Sequence, residues 1–539
     1  MKKYRRIIAL TCALIMVFLL CACDALEPVD DYVDGQSAGK DLGVISAADD
    51  VFTINCNRGY SFNPLIATNT NNQLVCNLVY ENMVELDNSY NVIPNVVTSW
   101  ETNDGIRWVF HVDTNRYFHD GSKMTATDVA YSLMCAANSD RFKGRFTYLY
   151  GSSAIDEESF AVILNKKNMM FPMLMCIPII KSGSIYDTFP QGTGPYAYSE
   201  DYSCLVAYEK YPGYEHLPVD KVYLSEYSGG IETISAFEDS LIDVVMNDPT
   251  APSNLGYGSA NEIRGFNTTN LHYVGFNVYS SIFASEPMRL AMNYAFDRDY
   301  LKAQMGGYAE ATAIPVNPAC PWYDKELNSQ YTYNLDVCRN IFKNLGFDDY
   351  DKDGYYEMKA GEDNYTEVNI RFLVCADSSP KVNVARKFAQ DLDSMGIQVT
   401  LLEYTWKDYL AAVEAGNFDM YYAETRINPD FDVSTVIGTG GRMNYGMWSS
   451  ESVDNAISEY LGASAEDRVA ACSNMCSTIC SGGHFITLCF EKHQMITHRG
   501  VIVGVKVNEN NPLTNVANWT ISFENVSDSA DNDKKDKNN

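Results

Sequence analysis

Several groups of side chains in this sequence have the types and spacing that chemistry needs. Asp349-Tyr350-Asp351-Lys352-Asp353-Gly354 places carboxylates at alternate positions with a glycine sixth, the opening half of a calcium loop, where hard oxygens ligate and the glycine permits the turn. The twelfth position holds Ala360, where such a loop carries a bidentate glutamate. The segment is therefore read as a solvated acidic turn, with Glu357 or Glu362 available to complete a weaker cation site around Asp349, Asp351 and Asp353. His484, His493 and His498 lie close in sequence, and imidazole suits nickel or zinc, but their irregular spacing favours ordinary surface or core histidines. His119-Asp120 has the composition of an acid-base pair, yet it runs straight into Gly121 and reads as a turn. No His-Glu-x-x-His, Gly-x-Gly-x-x-Gly or Walker A pattern occurs, so metalloprotease and nucleotide sites lack their local signals, and no cofactor is expected.

Beyond residue 23 there are twelve cysteines, and none form a Cys-x-x-Cys. Cys472, Cys476 and Cys480 recur at helical spacing, which stacks them on one face; the reading is a packed stripe of small apolar residues rather than a metal site. The elements that must carry these groups mix both periods. Trp108, Phe110 and Val112 alternate with Arg107, Val109 and His111, which predicts a half-buried strand after the turn at Asp104-Gly105. Thr125 with Asp128 predicts a capping box that opens a helix carrying Val129, Leu133 and Ala136. Met288, Ala291, Met292, Ala295 and Phe296 predict a further helix, ended by Gly306-Gly307.

At 539 residues, 46% hydrophobic, the chain is too long for one core and too apolar to be disordered, so two or three packed lobes are expected. A net charge of −30, with no basic cluster outside the first six residues, excludes the electrostatic footprint of nucleic-acid binding. The 37 tyrosines suit a protein that encloses something, since each offers a rigid surface with a polar tip.

Lys2, Lys3, Arg5 and Arg6 precede an apolar stretch from Ile7 to Leu20, too short to span a bilayer, which reads as a secretory signal. Leu20-Cys21-Ala22-Cys23 resembles the lipobox of bacterial lipoproteins. That resemblance implies cleavage after residue 22, a diacylglyceryl group on Cys23, and a protein held by its lipid on the outer face of the cell membrane. Residues 23–48 are expected to be a flexible tether and 525–539 a disordered tail, because neither carries enough apolar residues to bury.

A series of blocks then occurs in one order along residues 50–523. It begins with Phe62-Asn63-Pro64-Leu65 and Pro94-Asn95-Val96-Val97-Thr98-Ser99-Trp100, then Phe118-His119-Asp120-Gly121 and Thr125-Ala126-Thr127-Asp128-Val129-Ala130-Tyr131-Ser132. Gly192-Thr193-Gly194-Pro195-Tyr196, Arg289 through Phe296-Asp297-Arg298, Met395-Gly396-Ile397 and Gly416-Asn417-Phe418-Asp419 follow. The series resembles family 5 extracellular solute-binding proteins, the oligopeptide-, dipeptide- and nickel-binding components of ABC importers. The resemblance implies an α/β, two-lobed clamshell of the periplasmic-binding-protein type, class II, with an extra domain inserted in the first lobe. It assigns 49–81, 190–270 and 499–524 to lobe I, 82–189 to the inserted domain II and 271–498 to lobe II, with hinge crossings near Leu271 and His498. It also implies a monomer without enzymatic activity that carries a peptide or peptide-like solute to a permease and its ATPase.

In many peptide-binding members a Gly-Trp-x-Ala-Asp segment follows the Phe-Asp block, and its aspartate holds the ligand's amino group. Here the tryptophan is replaced, and the aspartate position falls on Asn428, which lacks the charge an ammonium needs. Glu424 or Asp430 is then the candidate for that anchor, and Arg426 the candidate to fork a carboxylate; alternatively Glu424 and Arg426 pair with each other on a strand face. Tyr60, Asn63, Trp322, Asn444 and Tyr445 are further wall candidates by their places in matched blocks. Two other readings stand beside transport: a secreted receptor for a signalling peptide, and an extracellular hydrolase, which would need a nucleophile with an adjacent base.

Overall fold

Two long antiparallel strands, Asn261–Phe276 and Phe485–His498, run side by side through the middle of the protein in a computed structural model that describes residues 51–251, 256–257, 261–359 and 364–523. The signal segment, Cys23, the tether and the tail fall outside the described residues. On one flank, Asn261–Phe276 pairs with Met420–Arg426, beyond which lie Asn369–Cys375 and Gln398–Tyr404. On the other flank, Phe485–His498 pairs with Val244–Asn247, followed by Phe52–Cys56, Lys221–Glu226, Cys204–Ala207 and Tyr196–Tyr198. Parallel neighbours need a crossover, and helix Ser379–Asp393 supplies the one between Asn369–Cys375 and Gln398–Tyr404. The sheet thus has two ends, each carrying its own lobe, and the two long strands join them.

The register between the long strands slips at two places, between Asn267 and Leu271 and again between His272 and Tyr273. Asn267 faces Lys492 but Leu271 faces Phe490, so residues 268–270 bulge out of the ladder. The ladder resumes at Leu271, which faces Phe490, and His498 faces Asn261 at the far end of the pairing. Past the bulge, Gly275 allows a close approach: a β-carbon there would stand 2.4 Å from the Tyr421 ring.

Within 82–189, four antiparallel strands form a separate sheet in the order Val97–Thr102, Arg107–Val112, Ser159–Leu164, Leu149–Ala154. Trp108, Phe110 and Val112 are buried as the alternation predicts, and Phe110 stacks on Phe160 at 5.2 Å. Helix Ala126–Asn138 opens with the predicted capping box, the Asp128 carboxylate accepting the Thr125 N–H at 3.0 Å. The helix around Met288 differs from expectation. It spans Glu286–Ala295 and stops, because the Asp297 carboxylate accepts the Tyr300 N–H and caps a second helix, Arg298–Gln304; Gly306-Gly307 ends that second helix instead.

One apolar core runs from this small sheet through lobe I into helices Glu451–Gly462 and Arg468–Gly482. A second, with Phe276, Met288, Phe296, Phe372, Phe388 and Tyr422, fills lobe II. All twelve described cysteines are free thiols and eleven are buried. Cys472, Cys476 and Cys480 lie on the buried face of Arg468–Gly482, as a packing stripe requires, and burial pushes the Cys480 thiol up to about 12. Among the described residues no helix is long and apolar enough to cross a membrane.

Candidate functional site

Arginine side chains from separate segments converge where the inserted domain meets lobe II. Arg141 and Arg145 follow helix Ala126–Asn138, and Arg426 ends strand Met420–Arg426. Arg141 Nη1 donates to the Pro64 carbonyl at 2.5 Å, and Arg145 Nη1 donates to the Cys176 carbonyl at 3.0 Å. Arg141 and Arg426 reach solvent and Arg145 is partly exposed, yet the protein atoms crowded around Arg141, with the charges of Arg145 and Arg426 pushing the same way, lower its pKa to about 10. Arg145 is also lowered by burial, and Arg426 adds to it while Glu509 and Asp430 oppose it. Among the described residues, Glu509 is the carboxylate paired here: Arg426 Nε lies 3.0 Å from its Oε1, and the Thr269 N–H in the bulge donates to its Oε2 at 2.9 Å. Neither Arg141 nor Arg145 is within ion-pairing distance of a described carboxylate. A guanidinium has five N–H donors, so each keeps most of its fork free. Three such groups against one glutamate make a local positive site in an acidic protein, complementary to a carboxylate.

The predicted wall residues divide into those that hold this site and those that build the scaffold. Asn63 is fully buried; its Nδ2 donates to the Ile185 and Asp187 carbonyls at 2.8 and 3.2 Å, which fixes the loop whose Pro64 carbonyl holds Arg141. Trp322 is buried and donates to the Tyr460 hydroxyl at 3.1 Å; Tyr460 donates onward to the Asp430 carbonyl at 3.0 Å. The Asp430 carboxylate accepts from Asn168 Nδ2 of the inserted domain at 2.9 Å, and burial together with the Asp432 charge raises it to about 7. Tyr148 to Ser434 at 3.1 Å and the Met169 N–H to the Leu461 carbonyl at 2.7 Å cross the same gap, so the inserted domain and lobe II are in contact. Asn444 ties its own loop, bonding Gly438 and Trp448, and Tyr445 meets Tyr421 edge-on. Asn428 accepts the Phe431 N–H through its carbonyl, while Tyr60 is half exposed.

Glu424 and Arg426 do not pair with each other. They lie two residues apart on one strand, but Glu424 meets Lys381 Nζ at 2.6 Å and His272 Nε2 at 3.3 Å, whereas Arg426 reaches Glu509. The three C-terminal histidines do not gather either: His484 packs on Trp448 and His498 stacks on Phe237. His119 serves the turn, its Nε2 3.0 Å from the Gly194 carbonyl. Sequence reasoning missed Arg141, Arg145, Glu509 and His272, since nothing in their neighbours' spacing distinguishes them.

The bulge carries a second charged group. Glu491, 1% exposed, accepts from Asn270 Nδ2 at 2.5 Å and from the Thr250 hydroxyl. It lies 3.6 Å from His272 Nε2 and 3.8 Å from His493 Nε2. Burial works against its charge, but the two imidazoles and the Thr250 hydroxyl hold it well below the usual carboxylate range. For His493 burial lowers the pKa, yet Glu491 and Asp248 outweigh burial and the nearby Arg426 charge, so its pKa is raised. A raised histidine stabilises the fold fully below its unfolded pKa of about 6.5 and loses that contribution as pH rises through the folded value. Thermal stability is therefore expected to fall across that window, and His493→Gln to flatten the fall. Melting curves at stepped pH check this; equal slopes in both proteins would refute it.

The profile described as "Bacterial extracellular solute-binding proteins, family 5 Middle" matches residues 91–441. Heme-binding protein A of Haemophilus influenzae is 21% identical over 457 residues, 76% of this chain and 81% of that protein. Oligopeptide-binding protein AppA of Bacillus subtilis is 21% identical over 455 residues, 78% and 80%. The crystal structure of NikZ from Campylobacter jejuni in complex with Ni(L-His) superposes with a TM-score of 0.64 at 18% identity, covering 87% of this chain and 99% of that one.

Proposed function

Since this chain belongs to the bacterial extracellular solute-binding proteins of family 5, a family of two-lobed binding proteins rather than enzymes, we propose that it captures a peptide or peptide-like solute between its lobes and delivers it to an ABC permease. The observation that carries the reading is the convergence of Arg141 and Arg145 from the inserted domain with Arg426 from lobe II. A carboxylate taken by all three bonds to both sides of the gap, so it stabilises the lobes together more than apart, which is what closure on a ligand requires. Oligopeptides and histidine, named with two of the similar proteins, both present such a carboxylate. The absence of the Trp-x-Ala-Asp anchor at 425–428 shifts recognition away from the solute's amino end. Mass spectrometry of solute released from purified protein by denaturation tests the reading. An amino-acid-derived carboxylate is expected; a ligand without an anionic group would overturn it.

The protein is proposed to work from the outer membrane face, anchored through Cys23. Cys23→Ser removes the thiolate that accepts the lipid, and most of the protein is expected to move from the membrane fraction to the medium or to stay unprocessed. Processed protein retained on the membrane at wild-type level would sink the anchor.

A further inference from the structure

The acidic loop 349–357 joins the short strands Phe347–Asp348 and Glu357–Lys359 of a three-stranded meander on lobe II. Its backbone is shaped by Asx turns, the Asp351 and Asp353 carboxylates accepting the Asp353 and Tyr355 N–H groups at 3.1 and 2.8 Å. Gly354 sits at φ +102°, where only glycine is unstrained. The result brings one oxygen from each of Asp349, Asp351, Asp353 and Glu357 within 4.8 Å of one another. Turn geometry alone would explain the two exposed aspartates, Asp351 and Asp353.

It does not explain Glu357. This side chain is 2% exposed and lies in the cluster; one carboxylate oxygen accepts the Tyr350 N–H at 2.7 Å and the other is buried with no partner. Asp349 repeats the pattern, with Oδ2 on the Gly354 N–H at 3.1 Å and a buried Oδ1 that has none. Two buried, unpartnered carboxylate oxygens on residues of one four-carboxylate cluster are costly unless something positive lies among them. No described lysine or arginine is in ion-pairing distance of the four.

We infer that Asp349, Asp351, Asp353 and Glu357 form a calcium site. Glu357, ninth in the loop, takes the place of the bidentate glutamate missing at Ala360. Four carboxylates offer more anionic oxygen than the octahedral, water-retaining shell of magnesium uses, which favours the larger ion. The site fastens the meander where it meets the lobe, since the adjoining Tyr356 N–H donates to the Gly396 carbonyl at 2.6 Å. It is independent of the reading of the cleft.

Terbium titration of the purified full-length protein, excited through tyrosine, is the direct test, because Tyr350 and Tyr355 lie within the loop. One saturable terbium site displaced by calcium with a dissociation constant of roughly 10 µM to 1 mM is expected, as for extracellular modules. Saturating calcium should raise the melting temperature by about 2–5 °C. The double variant D351N/D353N changes only exposed carboxylates, so it should fold, and it should bind calcium at least tenfold more weakly and lose the melting shift. No saturable signal below about 10 mM calcium, magnesium binding as tight as calcium, or unchanged affinity in the double variant would each overturn the site.

Discussion

Arg145→Gln is expected to weaken capture of the co-purified solute by roughly thirty- to several-thousand-fold, the loss of about 2–5 kcal/mol that follows when a desolvated charge loses its partner. Arg145 donates one N–H to the Cys176 carbonyl and keeps the rest of its fork beside Arg141 and Arg426. A ligand carboxylate in that position would be surrounded by groups that pay no reorganisation, so removing one leaves the carboxylate buried and underbonded. If the arginine were only a scaffold, the variant would forfeit one backbone hydrogen bond, about 1 kcal/mol of stability, and leave affinity alone. Affinity separates the cases, because the empty variant loses the Cys176 hydrogen bond and is relieved of guanidinium repulsion under either reading. Calorimetry on Arg145→Gln and Arg141→Gln gives the decisive numbers, and both variants within threefold of wild type would move the ligand elsewhere.

The second large effect belongs to the bulge between the two long strands. Glu491→Ala removes a buried carboxylate that His272, His493, Asn270 and Thr250 all address, and it leaves buried His272 with only Glu424 at 3.3 Å and part-exposed His493 with only Asp248 at 3.9 Å. Breaking such a group by taking out one member costs about 3–5 kcal/mol. The loss should appear as a melting temperature several degrees lower, with Glu491→Gln falling between the two because it keeps hydrogen bonds and discards charge. A drop of less than one degree in Glu491→Ala would show that the cluster is solvated and energetically idle.

Much of the scaffold was legible in the chain because it follows local periods. Trp108, Phe110 and Val112 alternate, Thr125 and Asp128 form their box, and the cysteine stripe keeps helical spacing, each a consequence of neighbours in sequence. The charged sites were not legible for the opposite reason. Arg141 is fixed by Pro64, Arg426 by Glu509, and Glu491 by Asn270, partners 77, 83 and 221 residues away. Spacing could propose Glu424 and Arg426 as a pair but could not see Lys381 and Glu509 bidding for them more closely. Trp322 and Asn444, wall candidates by their places in matched blocks, have hydrogen bonds that turn them inward to Tyr460 and Trp448. The acidic loop shows an intermediate case: Asp349, Asp351 and Asp353 are spaced by the motif, whereas the role of Glu357 depends on its burial, which only the folded meander determines.

A chain exported unfolded presents all of its thiols at once to an oxidising exterior, and here nothing but folding removes them from reach. In the native state Cys56, Cys76, Cys338 and Cys480 have thiols pushed up to between about 11 and 12 by burial, so almost no thiolate exists to react. Protection is thus a matter of timing rather than of chemistry: before the lobes assemble every cysteine is a candidate for mispairing, and afterwards none needs a partner. Neighbours such as Cys472 and Cys476, 4.0 Å apart at sulfur, would be the first to cross-link in a chain that lingers. Such a sequence is suited to a habitat poor in oxidants, or to a secretion route on which folding outruns oxidation.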